Sequence, residues 1–91
     1  MNYKLLIRKQ AIKDMNWFRK NDKRSYTKCL DLLLSIVDNP RDGIGQPKRL
    51  KGFTEEMYSR HINKKDRMVY LINDEDFLVR ISYCRGHYDD K

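Results

Sequence analysis

Between Met57 and Tyr88 the chain reads MYSRHINKKDRMVYLINDEDFLVRISYCRGHY, which sets Arg60, His61, Arg67, Arg85, His87 and Tyr88 in or beside three short apolar runs. Guanidinium and imidazole groups on a sheet suit a polyanion better than a hydrophobic core. Cleaving a phosphodiester takes three services: a proton leaves the nucleophile, charge on the non-bridging oxygens is neutralised, and the leaving oxygen gains a proton. In RNA the 2′-hydroxyl can be the nucleophile, so no metal or covalent residue is required. No acidic cluster or His/Cys set in the chain has metal-ligand spacing, and no cofactor is expected. The guanidinium of Arg67 matches phosphate oxygens bidentately. His87 suits acid–base work because imidazole titrates near pH ~6.5. Tyr88 can orient a phosphate or stack on a base. Taken singly, each has a plainer reading: a solvated arginine, a surface histidine, a tyrosine covering a sheet edge.

The elements that must hold these groups follow from periodicity. Asn2 to Arg8 reads as a strand. Residues 9–20 change to helical spacing, with Ala11 or Ile12, Met15 and Phe18 on one face. Asn21-Asp22 interrupts, and Asp22 can cap a second helix over residues 23–38. Its apolar stripe is Tyr26, Cys29, Leu30, Leu33, Ile36 and Val37. Pro40 ends it, since the residue before a proline avoids the helical region. The stretch 39–48, NPRDGIGQPK, is a loop, and Arg49–Lys51 can begin a short strand. Strands are expected at Met57–Ile62, Asp66–Asn73 and Asp76–Cys84, joined by connections of hairpin length. The order is an N-terminal strand, two helices and an antiparallel meander. That predicts an α+β fold with both helices on one face of a small twisted sheet. Alternation groups Met68, Tyr70 and Ile72 against Arg67, Val69 and Leu71. Phe77, Val79, Ile81 and Tyr83 oppose Leu78, Arg80, Ser82 and Cys84, and Tyr58, Arg60 and Ile62 oppose Met57, Ser59 and His61. Which face meets the helices is open at this point.

Ninety-one residues leave room for one domain, 1–91. Twenty Lys and Arg against 13 Asp and Glu give a net charge of +7, which fits an anionic partner and equally a merely soluble basic chain. The start, MNYKLLIRKQ, has only Leu5, Leu6 and Ile7 as an apolar run, far short of a secretory or membrane-spanning segment. A cytoplasmic protein is expected, with no membrane partner and with Cys29 and Cys84 as reduced core residues.

Taken together, the motifs resemble the Txe/YoeB branch of the RelE-like toxin superfamily. That pattern has a strand ending S-R-R-I, a turn, an H-R-L-V-Y strand and a closing H-Y. Here the matching residues are Ser59-Arg60-His61-Ile62, Asp66-Arg67-Met68-Val69-Tyr70 and His87-Tyr88. The resemblance runs on through Asn39-Pro40, the G-x-G-x-P loop Gly43–Pro47 and Leu50-Lys51. It implies a RelE-like fold and a type II toxin that cleaves mRNA in the ribosomal A site. A cognate antitoxin, YefM/Axe-like, would silence it. A homodimer or a toxin–antitoxin hetero-oligomer is compatible with it. By position, Arg67 matches the phosphate-stabilising arginine, His87 the general acid and Tyr88 the tyrosine that places the substrate. Arg60, Lys51, Arg49, Arg85 and Lys65 are the cations expected to bind RNA phosphates.

Three positions depart from the pattern. Lys48 stands where the family has its glutamate base, His61 replaces the second arginine, and Asp66 replaces the histidine. Three outcomes are compatible with Lys48. Lys48 or Lys51 can act as base with a depressed pKa, as lysines do in the similar RelE. His61 can act as base, paired with His87 across Arg67. Or the chain is a weakened toxin that binds RNA and antitoxin without efficient cleavage. A generic RNA-binding α+β module is the blandest reading.

Overall fold

The computed structural model describes residues 2–86. Within them the order is β1 (Lys4–Ile7), α1 (Lys9–Asn21), α2 (Lys23–Asp38), β2 (Lys48–Arg49), β3 (Glu56–His61), β4 (Arg67–Asn73) and β5 (Leu78–Tyr83). The fold is α+β as expected, and the strands form one sheet ordered β1-β5-β4-β3-β2. β2 through β5 pair antiparallel, whereas β1 runs parallel to β5, with Leu5 beside Val79 and Ile7 beside Ile81. A parallel neighbour needs a long crossover, and the α1–α2 hairpin begins that return. No helix among the described residues is long and apolar enough to cross a membrane.

Helix boundaries follow local chemistry. Asp22 closes α1 with its backbone N–H on Phe18 and caps α2, accepting from the Ser25 amide at 3.1 Å and hydroxyl at 2.8 Å. Asn39, just before Pro40, is extended (φ −155°, ψ 104°). The buried face of α1 uses Ala11, not Ile12, together with Asp14 and Phe18. In α2 it uses Ser25, Cys29, Leu32 and Ile36, while Leu30 of the expected stripe turns outward.

The sheet face toward the helices carries Met68, Tyr70, Ile72, Val79 and Ile81, packed with Phe18, Cys29, Leu32 and Ile36. Directly paired residues share a face, as the stacked rings of Tyr58 and Tyr70 illustrate. Hence Arg67, Val69 and Leu71 look away from the helices, with Met57, Ser59 and His61 opposite them on β3. β5 breaks the expected alternation twice. Phe77 lies in the turn at φ +48° and stays exposed rather than opening the strand. Val69 pairs with Tyr83 but Tyr70 with Ile81, so Ser82 is an extra, bulged residue. The bulge reverses the faces beyond it and carries Cys84 into the core, where Cys29 is also buried as a free thiol.

Candidate active site

The face away from the helices gathers one set of chemical groups at the end of the β3–β4 ladder. His61 lies directly across from Arg67. Lys48 pairs with Ser59, two residues back along β3, and so shares their face. The backbone N–H of His61 donates to the Gly45 carbonyl at 2.7 Å, which pins the 43–47 loop beside the imidazole. Gly45 takes φ +82°, and a Cβ there would stand 2.6 Å from Leu32 Cδ2 and 3.2 Å from Arg60 Cβ. Only glycine lets the loop approach this closely.

His61 is half-buried. Burial holds its pKa below the ordinary 6.5, and the charges of Arg67, Lys28 and Lys48 lower it further. Three cations from β4, α2 and β2 therefore act on one imidazole, which is neutral at pH 7 and free to accept a proton. Lys28 was not among the cations singled out from the sequence, because it lies on the polar side of the α2 stripe.

Arg60 requires a correction. It was expected to contact RNA phosphates, but it is 0% exposed. Nε donates to Tyr70 Oη (2.9 Å), Nη1 to Ser35 Oγ (2.7 Å) and the Ile44 carbonyl (3.0 Å), and Nη2 to the carbonyls of Asn39 (2.7 Å) and Asp42 (3.0 Å). All five N–H donors are spent, so none is left for phosphate. The strand alternation had already placed Arg60 beside Tyr58 and Ile62, the residues that face the helices. Arg60 holds the 39–45 loop instead.

The other expected cations divide into two groups. Arg49 faces opposite to Lys48 along β2, where its charge helps hold the Glu56 carboxyl low, and a cavity at that strand is lined by Lys48, Arg49 and Lys51 together. Lys65 and Arg85 line another cavity, next to Asp14 and Asp66. The Arg85 guanidinium lies over the Trp17 ring, 3.7 Å from its centroid.

His87 and Tyr88 lie outside the described residues. The segment leading to them is gripped by two buried carboxylates. Asp14 Oδ2 accepts from the amides of Cys84 (2.9 Å) and Arg85 (3.0 Å), and Asp66 Oδ1 accepts from the Gly86 amide at 3.4 Å. Asp14 was missed, although its place between Ala11 and Phe18 on the inward face of α1 is a readable signal. A hydrogen bond with Cys29, then burial, pushes the Cys84 thiol far above its ordinary range, so it is no nucleophile.

Residues 7–88 match the model of the YoeB-like toxin of bacterial type II toxin-antitoxin systems. The chain is 44% identical over 75 residues to the toxin YoeB of Synechocystis sp., covering 82% of this chain and 85% of that protein. It is similar to the YoeB dimer of Staphylococcus aureus, at 37% identity and a TM-score of 0.82 over 97% of this chain and 100% of that one. It is also similar to the heterotetrameric YoeB-YefM toxin-antitoxin complex of the same organism, at 36% identity and a TM-score of 0.79 with the same coverage.

Proposed function

The chain belongs to the YoeB-like toxins of bacterial type II toxin-antitoxin systems, and from that membership we propose that it is a ribosome-dependent endoribonuclease that cuts mRNA and halts translation in the cytoplasm. One observation carries this reading. A half-buried imidazole, held neutral, stands directly across a strand pair from an arginine. His61 takes the proton of the RNA 2′-hydroxyl. The 2′-oxygen attacks phosphorus while Arg67 neutralises the non-bridging oxygens. His87 protonates the departing 5′-oxygen, and Tyr88 places the substrate. The products are a 2′,3′-cyclic phosphate and a free 5′-hydroxyl. His61 is preferred to Lys48 and Lys51 as the proton acceptor because an imidazole is a competent base near neutrality and His61 stands directly across from Arg67. A YefM-like antitoxin is the proposed silencing partner, in a hetero-oligomer like that of the similar Staphylococcus complex, and the free toxin is proposed to form a homodimer.

Inducible expression in a bacterium tests this. Growth arrest with cleavage of translated mRNA is expected, lost in Arg67→Ala and His87→Ala. Normal growth with intact mRNA at good expression overturns it. Lys48, in place of the family's glutamate, favours a second reading, a toxin that binds RNA and antitoxin with little cleavage. RNA binding without cleavage, with cleavage gained in Lys48→Glu, would establish that reading instead.

A further inference from the structure

Two cavities meet at the β3–β4 turn. One, of about 550 Å³, opens between the start of α2 and the turn, with Arg24, Lys28 and Lys64 in its walls. The other, of about 370 Å³, shares Lys28 and Lys64 and ends on His61 and Gln46. Together they form one groove leading to the proposed proton acceptor. Its walls are held at a fixed spacing, because Asn63 Nδ2 in the turn donates to Ser25 Oγ on α2 at 2.8 Å. Neither lysine side chain hydrogen-bonds to or ion-pairs with a partner among the described residues. The one acid in the walls, Asp22, already accepts two hydrogen bonds from Ser25 and has the Arg24 charge beside it. The groove is therefore a fixed cleft with uncompensated positive charge.

We infer that this groove is a second phosphate site, in which Lys28 and Lys64 hold the backbone of single-stranded RNA adjoining the phosphate at Arg67. It rests on the ribonuclease reading and adds to it the path of the substrate. Ile62 is the one aliphatic residue in the walls. A docked protein helix needs several apolar anchors, whereas an RNA backbone needs spaced cations that fix its register.

The test uses a labelled, 2′-fluoro octauridylate, which cannot be cleaved, so binding is read apart from catalysis. Its affinity for the full chain is measured by fluorescence anisotropy across a salt series. Each phosphate contact to a single strand contributes about −0.7 to the slope of log K against log salt. The Lys28→Ala/Lys64→Ala double variant is expected to flatten that slope by about 1.4, while Lys13→Ala/Lys20→Ala on α1, the same change of charge elsewhere, leaves it unaltered. If the alanine pair lowers the melting temperature, Lys28→Gln/Lys64→Gln is used instead. A slope equal to wild type in the groove variant overturns the site and leaves the ribonuclease reading standing. Lysine-dependent binding of an oligoglutamate of equal charge, but not of the uridylate, also overturns it. Absence of uridylate binding by the wild-type protein up to millimolar concentration overturns the site, and the functional reading too if growth arrest is also absent.

Discussion

The Tyr70 hydroxyl accepts from Arg60 Nε at 2.9 Å and donates to the Pro40 carbonyl at 2.6 Å. β3, β4 and the 39–45 loop are thereby joined through two buried side chains. Gly43 completes the joint, since at φ +131° a Cβ there would meet Ser35 Oγ at 2.2 Å. Replacing Arg60 leaves three carbonyls and two hydroxyls short of a donor, at about 1–3 kcal/mol for each group that stays unsatisfied. Arg60→Met is expected to cost at least about 3 kcal/mol in urea unfolding at unchanged m. A loss under about 1 kcal/mol would sink this account of Arg60. Tyr70→Phe is expected to lose less, because the carbonyl contacts of Arg60 survive.

Asp14 is buried on the inward face of α1. Its carboxylate holds the Cys84 and Arg85 amides, three residues or fewer before His87. Asp14→Ala leaves two amides without their acceptor, so about 2–5 kcal/mol of stability is expected to go. Asp14→Asn keeps an acceptor oxygen and is expected to restore most stability. If Asp14 positions the end of the chain, Asp14→Asn lowers kcat more than it raises KM, and equal cleavage by Asp14→Asn and wild type rejects that role.

The ion network around Arg41 predicts a distinct acid response. Arg41 binds Glu56 through two N–H groups, at 2.7 and 2.8 Å, and Asp74 at 2.8 Å; Tyr3 also donates to Asp74. The Arg41 hydrogen bonds hold the Glu56 carboxyl below its ordinary 4.5, and those of Tyr3 and then Arg41 hold Asp74 below 3.8. Both folded-state pKa values are depressed, so the stabilisation is complete above the ordinary carboxylate values and is lost as pH falls through the depressed ones. Melting temperature is expected to fall more steeply from pH 5 to 3 in wild type than in Arg41→Gln, and less steeply in high salt. Parallel curves for the two proteins would contradict this.

What could be read in advance depended on how local the determining physics was. Helix α2 runs over residues 23–38 as its cap and Pro40 imply, because both signals act within a few residues. The parallel pairing of β1 with β5 carries no local mark. The bulge at Ser82, set by pairing with β4, moved Cys84 from one face to the other, an outcome that counting in twos along a single strand does not reach. At the candidate site, Arg67 and His61 were visible as residue types, while their direct opposition follows from the register. Arg60 has the charge of a phosphate ligand but the alternation of a core residue, and the alternation decides its face. Lys28 was missed because it arrives from α2, 33 residues away from His61 in the chain.

The cations around His61 make its protonation the most informative variable. Its pKa in the fold lies below the ordinary 6.5, first through burial and then through Arg67, Lys28 and Lys48. A depressed histidine binds fewer protons folded than unfolded, so its contribution to stability is present above about pH 6.5 and declines as pH falls toward the folded value. The same shift governs a base: cleavage is expected to rise with pH through that depressed value and then level off until the general acid titrates. Lys48→Glu removes one neighbouring positive charge and adds a negative one. It is expected to raise the pKa of His61 and carry the acid limb of the kcat/KM profile to higher pH. His61→Ala is expected to lower cleavage about 10²- to 10⁴-fold, the usual worth of a positioned general base. Adding Lys48→Glu to His61→Ala should recover part of that loss, with a new acid limb in the carboxylate range. An acid limb unmoved by Lys48→Glu, together with near-wild-type cleavage by His61→Ala, assigns the proton to another group.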